Sequence, residues 1–227
     1  MTEERWWNAR HSSLMMIGFL RESTSVAKSK IGRRKLRLFA CGGCRLIWDR
    51  FRNVTWRSAV EIAERFSDDL ATKKQLNDAR DAMTELHPDL SLQSPFDPNK
   101  LTVGQMAHST TDPRPVDAAS LFTAAQMYPL ADNRYGPLIG EEALCRLVRC
   151  IFANCLRANP FDPRWLSSTV LDLAHTIYEE RLFERLPILA DALMDAGCDS
   201  EEIIKHCHSE GPHVRGCRVV DLLLGKE

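Results

Sequence analysis

The feature that most constrains this chain is the spacing of its apolar side chains, which recur every three or four residues along most of the sequence. This spacing places apolar groups on one face of an α-helix, whereas the alternation typical of β-strands is scarce. The clearest case is residues 141–158, where Leu144, Leu147, Val148 and Ile151 form an apolar stripe. The sequence therefore predicts an all-α fold, an irregular multi-helix bundle of about eight or nine helices.

Capping and helix-breaking residues set the expected helix ends. A first helix is predicted over residues 3–21, and Thr55 is a suitable N-cap for a helix that reaches Asp69. Gly197 suits a left-handed C-cap at the end of a later helix. Pro212 suits the first turn of a last helix that ends at Leu224.

A long stretch rich in proline interrupts the helical pattern in the middle of the chain, at Pro88, Pro95, Pro98 and Pro113. Loops of this length are uncommon inside compact domains, so the stretch is either a linker between two helical halves or a functional loop. The sequence leaves open whether the two halves pack as one domain. The predicted division is an N-terminal helical part (1–87), a linker or loop (88–114) and a C-terminal helical part (115–227).

Charge and apolar runs limit the classes of partner. Thirty basic residues against 31 acidic ones leave the chain nearly neutral, so no overall field attracts nucleic acid. The apolar run Leu14–Leu20 is too short to cross a bilayer and lacks the flanks of a signal peptide. Eight cysteines without an export signal indicate reduced thiols or metal ligands. We therefore expect a soluble cytoplasmic protein with no membrane partner.

Three stretches carry a family resemblance. They are RKLRLFAC at residues 34–41 with Cys44 and Trp48, LVRCIFAN at 147–154, and the tail, which includes LADAL at 189–193 and GPHVRGC at 211–217. Together they resemble a family of uncharacterised proteins that occurs in many paralogous copies in planctomycete bacteria.

The resemblance covers roughly residues 34–65 and 142 to the end of the chain. Gly43 and Arg218 depart from it, because the family often has cysteine and tryptophan at these positions. The resemblance implies a bacterial host, and the family brings no known activity.

Four residues form the most specific chemical pattern. Cys41 and Cys44 are three residues apart, and His213 and Cys217 are four apart, so each pair shares a helix face if its segment is helical. Three thiolates and one imidazole form a common tetrahedral zinc environment. The sequence therefore predicts a zinc site formed by these four residues, which would join the first half of the chain to its last helix.

Alternative ligands lie nearby at Cys198, His206, Cys207 and His208. Successive helical residues diverge by about 100°, so the last three cannot all face one ion, although one of them can replace a member of the first set. The competing interpretation is that Cys41, Cys44 and Cys217 are buried as small apolar residues.

Three further cysteines, Cys145, Cys150 and Cys155, recur every five residues along one predicted helix. This spacing spreads them around the helix, and we interpret them as packing residues.

Two other hypotheses concern the first half of the chain. Cys41 and Cys44 can be read as a redox dithiol, although no βαβ pattern surrounds them. The basic segment 28–52 can contact nucleic-acid phosphates, but its arginines can equally form a solvated or salt-bridged helix face.

Patterns typical of catalysis are missing from the sequence, which has no glycine-rich phosphate loop, no HExxH and no nucleophile elbow. The leading hypothesis is therefore a non-enzymatic helical module that binds another protein or serves as a scaffold, with a structural zinc ion. The alternatives are a nucleic-acid-binding protein that uses segment 28–52 and a thiol redox enzyme at Cys41 and Cys44.

Overall fold

The structure is a computed structural model that describes residues 2–23, 26–86, 103–115, 119, 139–152 and 161–226. Within these ranges it contains eleven α-helices, nine of them with seven residues or more, and no β-strand. The predicted all-α, multi-helix fold is therefore confirmed. No helix in these ranges is both long and apolar enough to cross a membrane.

The helices have the following bounds in chain order. They are α1 (Glu3–Asn8), α2 (Ser13–Ser23), α3 (Lys30–Leu46), α4 (Val54–Ser67), α5 (Lys73–Leu86), α6 (Val103–Thr110), α7 (Glu141–Phe152), α8 (Ser168–Glu180), α9 (Leu186–Asp195), α10 (Glu201–Cys207) and α11 (Arg218–Leu223). Short 3₁₀ turns cover Trp48–Arg50, Pro163–Trp165 and Phe183–Arg185. The chain forms two compact units, Met1–Val148 and Arg149–Glu227.

In the first unit, α4 packs against α3, α5 and α6. The apolar face of α3 is fully buried at Leu36 and Phe39, and Ser29 caps its start by accepting a hydrogen bond from the Gly32 N–H. Asn53 rather than Thr55 caps α4, because the Asn53 side chain accepts a hydrogen bond from the Thr55 N–H.

The predicted first helix over 3–21 is two helices, α1 and α2, separated at residues 9–12. The break is stabilised by Glu141, whose carboxylate accepts hydrogen bonds from the Ser13 backbone N–H at 3.1 Å and the Ser13 hydroxyl at 2.8 Å. The single-helix prediction was wrong because this partner lies 128 residues away in the sequence.

Part of the predicted linker 88–114 is helical, because it contains α6. This helix packs against α3, α4 and α5. Arg37 fixes the end of α6 by donating hydrogen bonds to the carbonyl oxygens of Thr110 and Asp112, at 2.6 and 2.8 Å. The boundary between the compact units falls after Val148 rather than within the proline-rich stretch. Residues 88–102 of that stretch lie outside the described residues, as do residues 116–118 and 120–138 of the predicted C-terminal helical part.

The second unit has its own apolar core, built mainly from α8, α9, α10 and α11. Ser167 caps α8 by accepting a hydrogen bond from the Val170 N–H. Gly197, with φ of 85°, follows α9 as predicted, and the next N–H, that of Cys198, donates to the Leu193 carbonyl at 2.9 Å. This pattern is a Schellman-type helix end.

The end of the second unit differs from the prediction. The last helix, α11, begins at Arg218, so Pro212 and His213 lie in a loop rather than in its first turn. Gly211 and Gly216 have φ values of 77° and 92°, outside the range of a right-handed helix. The loop over residues 208–217 supplies half of the candidate metal centre.

Candidate metal centre

Four side chains of the second unit bring their donor atoms together. Cys150, His206, His213 and Cys217 each contribute one sulfur or ring nitrogen, and all four atoms lie within 4.8 Å of one another. Both thiols are buried and both histidines are half-buried. These residues form a Cys2His2 cluster that can hold a metal ion.

The spacing of the donor atoms suits a small tetrahedral ion. The Nε2 of His206 lies 3.1 Å from the Sγ of Cys217 and 3.9 Å from the Sγ of Cys150, and the Nδ1 of His213 lies 3.5 Å from the Sγ of Cys150. Ordinary zinc–sulfur and zinc–nitrogen bond lengths give a sulfur–nitrogen edge of about 3.6 Å in a tetrahedron. The three distances fall on both sides of this value.

Separate elements deliver the four residues. Cys150 lies in the last turn of α7, and His206 lies in the last turn of α10, which the acidic residues Glu201 and Glu202 begin. Cys217 is the N-cap residue of α11. An ion bound here therefore links two helix ends and the start of a third helix.

A tight turn brings Cys217 back towards His213. The Cys217 N–H donates to the Val214 carbonyl at 2.9 Å, and Gly216 occupies the third position of this turn with positive φ. A glycine at that position permits the conformation without strain. A turn therefore brings His213 and Cys217 together, and the prediction that they share a helix face was wrong.

Gly211 makes room for the His213 ring. A Cβ atom at this position would lie 3.0 Å from the backbone nitrogen of His213 and 3.2 Å from its Cδ2. The absence of a side chain and the positive φ both serve the close approach of the imidazole to the loop.

The neighbouring groups set the charge state of the two thiols. The hydrogen bond with Cys217, together with burial, raises the pKa of Cys150 well above its usual value. Burial opposes ionisation of Cys217 as well, but the hydrogen bond from Cys150 and the two imidazoles outweigh it and hold its pKa well below the usual value. One thiol of the pair is thus favoured as a thiolate, the form that binds metals.

A buried arginine lies beside the cluster. Arg218 follows Cys217 directly, is only 2% exposed, and pairs with the Glu202 carboxylate at 2.8 Å. Its positive charge lowers the pKa values of Cys150 and Cys207 against the larger effects that raise them. Arg218 therefore offsets only part of the effects that keep these two thiols protonated.

Two of the four predicted ligands, His213 and Cys217, belong to the cluster, and so does the alternate ligand His206. Cys150 was missed, because its five-residue spacing from Cys145 was interpreted as packing. The one available signal was its position in the LVRCIFAN stretch that carries the family resemblance. Cys145 is buried in the first unit, and Cys155 lies outside the described residues.

Cys41 and Cys44 lie on α3 in the first unit, and both are buried. Their role as metal ligands stays a prediction. Burial raises the pKa values of both thiols, Cys41 and Cys44. A nucleophilic dithiol needs the opposite shift, so these two residues have the environment of packed thiols.

The other alternate ligands lie outside the cluster. Cys198 and Cys207 are buried in the core of the second unit, and burial raises the pKa values of both. His208 is the exposed C-cap residue of α10. Of the three consecutive residues His206, Cys207 and His208, only His206 belongs to the metal cluster.

Part of the basic segment 28–52 is engaged in contacts within the protein. Arg34 pairs with Asp68 at 2.9 Å, and Arg45 pairs with Glu64 at 2.7 Å while lying 3.7 Å from the Trp48 ring centroid. The basic residues of this segment that remain exposed are Lys28, Lys30, Arg33, Arg50 and Arg52. Nucleic-acid binding by this segment stays a prediction, with fewer available arginines than the sequence suggests.

Comparisons with protein-family models, curated proteins and solved structures find no significant match to the chain. The resemblance to the planctomycete family stays a prediction.

Proposed function

We propose that the second unit is a structural zinc module, in which Cys150, His206, His213 and Cys217 hold one Zn²⁺, and that the protein is a non-enzymatic scaffold. The observation that supports this proposal is the convergence of four donor atoms within 4.8 Å. Two sulfur and two nitrogen donors are a ligand set that zinc prefers.

The number of ligands supports a structural role. Catalytic zinc sites usually have three protein ligands and an open position for water, whereas structural sites are closed by four. Here four side chains supply four donors. When bound, the ion would supply cross-linking energy to the helices that carry these residues.

The proposed partner is another protein. The raised pKa values of Cys41 and Cys44 argue against a thiol enzyme, and the internal ion pairs of α3 reduce the case for nucleic acid. A cytoplasmic location is also proposed, because its reducing conditions keep thiols available to a metal.

Metal content tests the site directly. We expect about one zinc per chain by elemental analysis of the purified protein, lost in Cys150→Ala, His206→Ala, His213→Ala and Cys217→Ala. Two matched controls are available, because Cys207 is as buried as Cys217 and His208 is two residues from His206. Cys207→Ala and His208→Ala should both retain the ion.

Further variants separate the competing ligand sets. Zinc that is lost in Cys41→Ser and Cys44→Ser but retained in Cys150→Ala would replace this site with the one predicted from the sequence. Native protein without metal that also fails to bind added zinc would overturn the proposal altogether.

Cobalt substitution tests whether the site is closed. With four protein ligands, the visible spectrum of the Co²⁺ protein should be tetrahedral and unchanged by added azide or cyanide. A spectrum that changes with these anions would reveal an open coordination position and would contradict the structural role.

A further inference from the structure

The two histidines of the cluster approach it with different ring nitrogens. His206 presents Nε2, which lies 3.1 Å from the Cys217 sulfur. His213 presents Nδ1, which lies 3.5 Å from the Cys150 sulfur. The two rings meet edge to face, with centroids 4.8 Å apart and an interplanar angle of 74°.

Ser209 determines which nitrogen of His213 is free to bind an ion. The Nε2 of His213 lies 3.1 Å from the Ser209 backbone carbonyl oxygen. A carbonyl oxygen only accepts hydrogen bonds, so Nε2 must carry the hydrogen and donate it. In the neutral ring the lone pair is then on Nδ1, the nitrogen that faces the sulfurs.

The Ser209 side chain links both histidines. Its hydroxyl donates to the backbone carbonyl of His206 at 2.7 Å, and its oxygen lies 3.3 Å from the Nε2 of His213. Because the hydroxyl hydrogen is already used, this oxygen acts towards His213 as a second acceptor. Ser209 thus holds the end of α10 and the His213 ring in one arrangement.

We propose that the metal is bound through Nε2 of His206 and Nδ1 of His213, and that Ser209 is the positioning residue that selects Nδ1. This inference rests on the metal centre proposed above. A hydrogen bond from the second imidazole nitrogen to an oxygen acceptor fixes the tautomer and ring orientation of a ligating histidine and strengthens it as a donor.

Two substitutions at Ser209 separate its hydroxyl from its bulk. Ser209→Ala removes the side-chain oxygen and leaves the carbonyl, so zinc affinity should fall by about tenfold, the lower end of the range for residues behind metal ligands. Ser209→Thr keeps the hydroxyl and should restore the affinity. Competition with a chromophoric chelator measures the dissociation constants.

A control separates loss of affinity from loss of stability. Ser167→Ala removes the cap of α8 and should lower the free energy of unfolding without changing zinc affinity. Long-range ¹H–¹⁵N NMR correlation of the zinc-loaded protein, labelled in histidine, identifies the bound nitrogens directly. We expect Nδ1 bound and Nε2 protonated in His213, and the reverse in His206.

The outcomes distinguish the two proposals. One zinc per chain with both histidines bound through Nε2 would overturn the selection of Nδ1 by the Ser209 carbonyl. Wild-type affinity in Ser209→Ala would overturn the contribution of the Ser209 hydroxyl. Either result leaves the metal centre standing. Failure to bind zinc at all would overturn both.

Discussion

At the scale of single residues, the cluster depends on a position where no side chain fits. Gly211 has φ of 77° and lies against His213, whereas Gly197 has φ of 85° and nothing within 4 Å of a built Cβ. Alanine at either position costs about 1–2 kcal/mol for the left-handed backbone. Only at Gly211 does the added carbon also press on a ligand.

We therefore expect Gly211→Ala to weaken zinc binding and Gly197→Ala to leave it unchanged, although both lower the free energy of unfolding. Chelator competition measures the affinity, and urea unfolding measures the stability. Equal zinc affinity in the two variants would show that the approach of His213 does not depend on Gly211.

His108, in the last turn of α6, is a buried residue whose charge state is set by its surroundings. Burial and the nearby Arg80 guanidinium lower its pKa from 6.5 to about 4, against the opposite effect of Asp112. The Thr84 hydroxyl, which lies 3.4 Å from Nε2 of His108, donates to the Arg80 carbonyl and so accepts from the neutral ring. The folded state therefore holds His108 uncharged.

This shift predicts acid sensitivity. The stability that neutral His108 contributes is present above its unfolded pKa and is lost as pH falls from about 6.5 to about 4. Between about pH 7.5 and about pH 4.5 the loss amounts to about 2–3 kcal/mol. Urea unfolding of the wild type and of His108→Gln at both pH values checks it, because carboxylate titration is common to the two proteins. An identical pH dependence would contradict the prediction.

At the scale of elements, helix ends in the first unit depend on distant partners. The Glu141 carboxylate accepts two hydrogen bonds from Ser13 at the start of α2, and Arg37 holds the end of α6. Caps of this kind satisfy backbone groups that a helix leaves unpaired at its termini. They explain why α2 begins at Ser13 and α6 ends at Thr110, although the neighbouring sequence gives little indication of either boundary.

Glu141→Ala should destabilise the first unit by about 1–2 kcal/mol, the usual cost of a lost cap. Its neighbour provides the control, because Glu142 forms an exposed pair with Arg146 at 2.8 Å. Glu142→Ala should change stability by about 0.5 kcal/mol or less. Chemical denaturation of the two variants decides the matter, and equal effects would argue against capping by Glu141.

The helix ends of the second unit were predicted only in part. Gly197 was correctly predicted as the residue that ends α9, because glycine at a left-handed C-cap is a local preference. The predicted last helix from Pro212 was wrong, because Gly211 and Gly216 place the backbone outside helical geometry and the turn at Cys217 replaces a helical turn.

At the scale of the whole molecule, the metal centre belongs to the second unit alone. All four cluster residues follow Val148, the last residue of the first unit. Metal that binds only the folded state stabilises it in proportion to the logarithm of its free concentration. The effect of a chelator should therefore be confined to one part of the chain.

Amide hydrogen exchange tests this expectation. A strong chelator should reduce protection in α8, α10 and α11 and leave α3 and α4 unchanged, because only the first group belongs to the unit that binds the ion. The Cys217→Ala variant should show the same reduced protection without chelator. A uniform loss of protection across both units would contradict a metal effect limited to the second.

The sequence by itself determined the all-α class, because the spacing of apolar residues is a local property that each helix repeats. It also indicated His213 and Cys217 as metal ligands, since ligating residue types can be read directly, but it combined them with Cys41 and Cys44. Only the tertiary structure brought Cys150 and His206 to them, 63 and 7 residues before His213 in the chain. The convergence of ligands depends on how the end of α7 at Cys150, the end of α10 and the loop over residues 208–217 meet in space. The spacing of residues along the chain does not specify that arrangement.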